Sequence, residues 1–202
     1  GLVGSEMCIR DRSMIKDEKV CHYLDMPIQH CNDDILRRMG RKTTKAELME
    51  RIRMLRERIP DITLRTTLIC GFPGETQDNH EELMQFVNDM EFDRLGAFTY
   101  SPEEGTKAAA MPDQIDEQIK AARSEKLIAL GHDMSKEFRK FYIGKNEEVL
   151  FEEKAVIGDK EYFVGYTKEY VKVAKKTAEN LENQIVSGRI SGMLTDEILL
   201  FE

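Results

Sequence analysis

The sequence predicts an α/β protein whose last third is a small all-β unit. One observation is that stretches of alternating apolar and polar residues recur at 21–29, 62–70 and 93–101, with helix-period stretches between them. Strand–helix–strand–helix–strand with short connections is the pattern of a parallel sheet. The other is that the helical period ends near residue 142, giving way to short runs with turn signals at Gly158-Asp159, Gly165, Asn183 and Gly192. That reads as a small barrel. Three parallel strands are too few to close a barrel of eight, so the sheet must be open or incomplete.

Residues 1–13, GLVGSEMCIRDRS, fit nothing that follows and read as adapter-derived sequence. They are set apart from the fold and expected to be loosely ordered. In the first strand Leu24, Met26 and Ile28 form the apolar set, while Tyr23, Asp25, Pro27 and Gln29 form the other. Asn32 and Asp33 are placed to cap a short helix through Met39. Thr43 or Thr44 caps a second, with Leu48, Ile52, Leu55 and Ile59 along one face and Pro60-Asp61 ending it. The next strand puts Leu64, Thr66, Leu68 and Cys70 on one face and Arg65, Thr67 and Ile69 on the other. Leu83, Phe86, Val87 and Met90 then recur at helical spacing.

A loop over 101–110 leads to a long helix predicted over 114–141, with Ile115, Ile119, Ala122, Leu127, Leu130 and Met134 near one face. The expected domains are therefore a partial barrel over 14–112, a connecting helix over 113–141 and the β unit over 142–202.

The 202 residues are 41% hydrophobic and 34% charged, an ordinary globular mixture. The formal net charge of −8 argues against the whole chain acting as a nucleic-acid clamp. With no long apolar run and no signal pattern, a cytoplasmic monomer without membrane contact is expected. Cys8, Cys21, Cys31 and Cys70 are too far apart in sequence for a zinc knuckle, redox pair or local cluster motif. Reduced thiols are expected, and no residue of this chain is assigned a catalytic or metal-ligating role.

The most informative stretch is Thr66-Thr67-Leu68-Ile69-Cys70-Gly71-Phe72-Pro73-Gly74-Glu75-Thr76. It runs from an apolar strand through a glycine-rich turn into the acidic start of a helix. Such a turn, at the carboxyl end of a strand, is where α/β proteins bind ligands. Glu75 and Thr76 are read as starting the helix. The absence of Gly-Lys-Ser/Thr after the turn counts against a nucleotide P-loop.

Four further segments occur in order around it: Tyr23-Leu24-Asp25-Met26-Pro27-Ile28-Gln29-His30, Ile35-Leu36-Arg37-Arg38-Met39-Gly40-Arg41, Leu64-Arg65-Thr66-Thr67, and Phe92-Asp93-Arg94-Leu95-Gly96 with Tyr100-Ser101-Pro102. Together they resemble the second half of the radical-SAM barrel of the methylthiotransferases, over nearly all of 20–110. The first is similar to the branch that modifies an aspartate of ribosomal protein S12. The tail, with Met134-Ser135-Lys136-Glu137-Phe138, Gly165-Tyr166-Thr167-Lys168-Glu169-Tyr170-Val171 and Leu194-Thr195-Asp196-Glu197-Ile198, resembles the TRAM domain of the branch acting on threonylcarbamoyladenosine in tRNA. Ala109-Ala110-Met111-Pro112-Asp113-Gln114 is shared by both branches, which points to a chain joined there, by assembly error or as a natural hybrid.

The resemblance implies the C-terminal half of an open, partial TIM-like barrel plus an OB-like TRAM barrel. It implies S-adenosyl-L-methionine and two 4Fe-4S clusters in the parent protein, with cluster ligands absent from this chain, so that the fragment alone is inactive. It also implies ribosomal protein S12 as substrate, with tRNA as the alternative; a binding module without catalysis is a reading of another class. Gln29, Arg65 and Thr67 are then candidates for the cofactor's ribose, carboxylate or amino group, although Arg65 could instead pair with Asp25. Gly71, Phe72 and Gly74 would lie against the adenosyl group, and His30 near substrate. Lys168, Lys172 and Tyr166 would hold substrate on the β unit, stacking bases and holding phosphates if it is RNA.

Overall fold

The structure is a computed structural model that describes residues 19–202. The expectations for 1–13, and Cys8 with them, lie outside the described residues. Strands β1 (Tyr23–Asp25), β2 (Thr63–Cys70) and β3 (Arg94–Thr99) form a parallel sheet in that order. Leu24 pairs with Leu64, and Leu68 with Ala97, so the apolar residues line up on one face. Helices α1 (Asp33–Arg38), α2 (Lys45–Arg58) and α3 (Gln77–Met90) connect the strands.

Each helix starts where a side chain can take the first free amides. Asn32 accepts from Asp34 and Ile35, and Thr44 and Thr76 each form a capping box. Leu48, Ile52, Leu55, Leu83, Phe86 and Val87 then bury their faces against Leu64, Leu68 and Cys70 in one core. This burial of apolar area is the main force holding the layers together.

Two elements differ from expectation. The first strand, expected over 21–29, is a ladder only through Asp25. Met26 still donates to the Arg65 carbonyl at 2.8 Å, but Pro27 has no N–H to give, and pairing resumes as a bridge from Gln29 to Leu68. Gln29 itself has φ +70°, a turn away from the strand path.

The long helix, α4 (Glu117–Lys140), packs on β2 and β3, but not by the face expected. Ile119 and Ala122 are exposed, and Lys120, Arg123, Ser124 and Leu127 are buried. Leu127, Leu130 and Met134 meet the apolar core, whereas the first two turns of α4 lie over the polar end of the sheet.

Beyond α4, strands β4 (Asn146–Ile157), β5 (Lys160–Thr167), β6 (Lys172–Lys175), β7 (Gln184–Met193) and β8 (Leu199–Phe201) close a barrel in the order β4-β5-β6-β8-β7. Val149, Phe151, Phe163, Val173, Ile190 and Phe201 fill its interior. Gly165 and Gly192, read from sequence as turns, lie inside β5 and β7. Gly165 pairs with Phe151, and a Cβ there would sit 2.2 Å from the Leu150 carbonyl oxygen, so the glycine serves strand approach and not a turn.

The barrel is fastened to the sheet at two places. Lys136 of α4 pairs with Asp196 at 3.1 Å and Phe138 meets Tyr142 edge to face. On the other side Arg94 donates to the Tyr170 carbonyl at 2.7 Å, and the Tyr23 and Tyr170 rings lie 4.3 Å apart.

Because backbone cannot retreat as a flexible side chain can, Gly165→Val should destabilise the barrel by about 3 kcal/mol or more. Denaturant unfolding monitored at Tyr162 and Tyr166 would show this, and a variant as stable as the parent would contradict the close approach.

Candidate functional site

The glycine turn leaves β2 at Cys70, whose carbonyl accepts from Tyr100 N at 2.8 Å, tying the ends of β2 and β3 together. Gly71 has φ +73° and Gly74 φ +84°, the left-handed region open to glycine at little cost. Gly71 has no room for a side chain, and at Gly74 one would have to push the Arg38 guanidinium aside. A Cβ on Gly71 would meet Lys120 Cγ at 2.2 Å, and one on Gly74 would meet Arg38 Nη1 at 2.2 Å. Gly74 N donates to the Asp113 carbonyl at 3.0 Å, so the loop before α4 closes over the turn.

Beneath the turn lies a carboxylate with no exposure at all, that of Glu75. Gly71 N donates to its Oε2 at 2.7 Å, and Arg123 Nη1 donates to its Oε1 at 2.9 Å and to its backbone carbonyl at 3.0 Å. Burial pushes the Glu75 carboxyl up, while the Gly71 amide and the Arg123 guanidinium hold it down. The anion is the form that both donors need.

Two histidines face the same carboxylate from slightly beyond hydrogen-bond reach, His30 Nε2 at 3.8 Å and His80 Nδ1 at 4.0 Å. Asn32 N donates to His30 Nδ1 at 2.9 Å, so the proton of the neutral ring sits on Nε2, toward Glu75. Burial lowers both histidines to about 4, with the Arg123 charge adding to it, and both are therefore neutral at ordinary pH.

The residues singled out in the sequence separate into three groups. Arg65 and Thr67 share the face of the sheet turned away from the helices, each partly exposed, and Gln29, in the segment past β1, is partly exposed too. Gly96 sits opposite Thr67 and keeps that face low, and Phe98, opposite Ile69, is 59% exposed on it. Arg65 is ion-paired with Asp25. Gln29 turns its amide to the Pro27 carbonyl at 3.3 Å.

Phe72 and His30 lie beneath the surface, Phe72 stacked edge-on against Tyr100 and His30 fully buried. On the β-barrel, Lys168 is held by Glu148 at 2.7 Å, while the Lys172 ammonium stands 5.9 Å from the Tyr166 ring. Tyr166 is 6.3 Å from Tyr170, which reaches Tyr23.

Sequence reasoning missed Glu75, Arg123 and Lys120 as parts of the site. The usable signal was a pair of cations three residues apart on a helix, interrupting its apolar stripe. Among the described residues no group of three His, Cys, Asp or Glu side chains is placed to hold a metal ion. Burial pushes the Cys31 and Cys70 thiols up to about 12, so both are neutral thiols.

The histidines fix a pH dependence. Their folded values lie below the unfolded value near 6.5, so the unfolded chain takes up protons first as pH falls. Stability should be full above about pH 6.5 and decline between 6.5 and 4, by about 3 kcal/mol for His30. Glu75, raised in the fold, works in the opposite direction and softens the decline. Urea titrations across that range would show the slope, and His80→Leu should reduce it; a flat profile would contradict neutral buried histidines.

The sequence model of the Radical SAM superfamily matches residues 12–87. The chain is 47% identical over 153 residues to the ribosomal protein uS12 methylthiotransferase RimO of Clostridium perfringens, covering 76% of this chain and 34% of that protein. The protein of the same name from Lachnoclostridium phytofermentans is 50% identical over 155 residues (76% and 35%), and that of Clostridium botulinum 52% over 136 residues (67% and 31%). This chain thus spans about a third of the length of these relatives. Among solved structures, the radical SAM enzyme coproporphyrinogen III oxidase of Escherichia coli gives a TM-score of 0.49 at 22% identity, over 56% of this chain and 27% of that one. A 153-residue match in a 202-residue chain necessarily includes residues 50–153, so the similarity runs through β2, β3 and α4 and past Ala109–Gln114. The superfamily match over β1 and β2 and this identity through sheet and helix make the chain similar to radical-SAM methylthiotransferases.

Proposed function

We propose that this chain is part of an enzyme that replaces a C–H bond with C–S–CH3 on an aspartate of ribosomal protein S12. The observation that carries the reading is the 47–52% identity to proteins of that name. Both edges of the three-stranded sheet are free among the described residues, and one face is uncovered, which suits part of a larger TIM-like barrel. The closed β-barrel over 142–202 is read as a TRAM domain. We assign the protein to the cytoplasm as a monomer; among the described residues no helix is long and apolar enough to cross a membrane.

S-adenosylmethionine fits the open polar face. Gln29 and Thr67 present hydrogen-bonding groups there, and Arg65, already neutralised in part by Asp25, would orient the amino-acid end of the cofactor. Gly71 and Gly74 bring backbone close to where the adenosyl group would lie, and Phe72 backs the turn from below. When bound, S-adenosylmethionine supplies both radical and methyl group. His30 would act at one remove, by holding the Gln29 segment beside the turn.

Iron–sulfur clusters do not fit the described residues. Cys31 and Cys70 are buried neutral thiols, and Cys21 stands apart from both on the surface. Three neighbouring thiolates are what a cluster requires. Anaerobic incubation of this chain with iron and sulfide should therefore give no stoichiometric cluster; a stable visible band with matching iron content would contradict that.

A second reading is favoured by one feature. Tyr23, Tyr170, Tyr166 and Lys172 form a continuous aromatic and basic ledge from the sheet to the barrel, a surface on which RNA bases could stack. Lys168, tied to Glu148, would add less. The deciding experiment is anaerobic turnover by the longer reading frame containing this chain, with S12 and tRNA offered together. A methylthio group on the S12 aspartate supports the first reading, modification of tRNA alone supports the second, and modification of neither overturns both.

A further inference from the structure

We propose that Arg123 and Lys120, on the helix that leads to the β-barrel, are positioning residues for the glycine turn and so for S-adenosylmethionine bound against it. The cofactor part of this rests on the reading above; the positioning part does not. Gly71 N–H, the first amide of the turn, points inward to Glu75 and not outward to a ligand. Its acceptor is a carboxylate without any exposure, and such an anion stays in place only with a buried cation beside it. Arg123 is that cation, 48 residues away in sequence, and its bond to the Glu75 carbonyl fixes backbone as well as side chain.

Lys120 acts through its stem. The side chain is 2% exposed, its methylenes fill the space a Gly71 side chain would need, and its ammonium turns out to Glu117 at 2.6 Å. An apolar pair would have packed this end of α4 as Leu127, Leu130 and Met134 pack the middle. The polar pair occurs only where the turn must be held.

The same helix is anchored to the barrel at its far end through Lys136–Asp196 and the Phe138–Tyr142 contact. Its 24 residues span about 36 Å, so one rigid rod joins the rim of the proposed pocket to the β-barrel. The rim is thereby shaped by an element outside the sheet.

The test compares Arg123→Met, Arg123→Lys and Lys120→Ala in this chain by NMR. The Gly71 amide resonance is read first without ligand, then the Gly71 and Gly74 amides are followed during titration with S-adenosylmethionine. Arg123→Met should move the Gly71 amide and weaken binding by about tenfold or more, since small displacements near a reacting ligand are costly. Arg123→Lys should recover part of both, and Lys120→Ala should move the Gly71 amide alone among the turn's inward donors. If Arg123→Met does not fold, the comparison of Arg123→Lys with the parent decides. A folded Arg123 variant with an unmoved Gly71 amide would overturn the proposal. A parent chain whose Gly71 amide behaves as expected but which shows no binding would overturn only the cofactor reading.

Discussion

The buried carboxylate of Glu75 is the constraint on which the glycine-turn end of this molecule depends. It takes the Gly71 amide from the turn and the Arg123 guanidinium from α4, and it lies against the neutral rings of His30 and His80. Four separate stretches of sequence meet at one side chain. Removing either charge of such a pair strands the other without water, a loss of about 3–5 kcal/mol. The arrangement is costly to build and is therefore poor at adding stability. Its effect is to admit one conformation of the turn.

That conformation sets what the sheet can offer. With Gly71 and Gly74 in the left-handed region and Pro73 between them, the turn runs close over the strand end. The open face beyond it carries Arg65 and Thr67, with Gly96 keeping the floor low. Two polar side chains of β2 thus stand beside the rim on the side away from the apolar core. The core side is closed by Leu83, Phe86 and Val87, whereas among the described residues the opposite face is uncovered.

Much of the fold was legible because period-two and helical stripes coincide with burial. Leu64, Thr66, Leu68 and Cys70 are buried as their alternation required, and Asn32 and Thr44 cap where their short polar side chains allowed. The face of α4 was misread because Ile119 is exposed while Lys120 and Arg123 are buried. Hydrophobic periodicity cannot register a helix whose first turns pack on a carboxylate. Gly165 misled for a related reason: a glycine demanded by close strand approach looks like a glycine demanded by a turn. The candidate site was half legible. Motif residues on the open face were visible, but Glu75 looked like an ordinary first-turn acid, and only the tertiary partner 48 residues away reveals its place.

Amide hydrogen exchange at Gly71 tests the central claim most directly. An amide bonded to a buried, ion-paired carboxylate can exchange only when the sheet and α4 come apart together. Gly71 should therefore exchange as slowly as Leu64 and Leu68 in the middle of β2, with the same dependence on denaturant. Exchange at Gly71 that is orders of magnitude faster than at those strand amides, and insensitive to denaturant, would show a turn that opens by itself and would contradict the account.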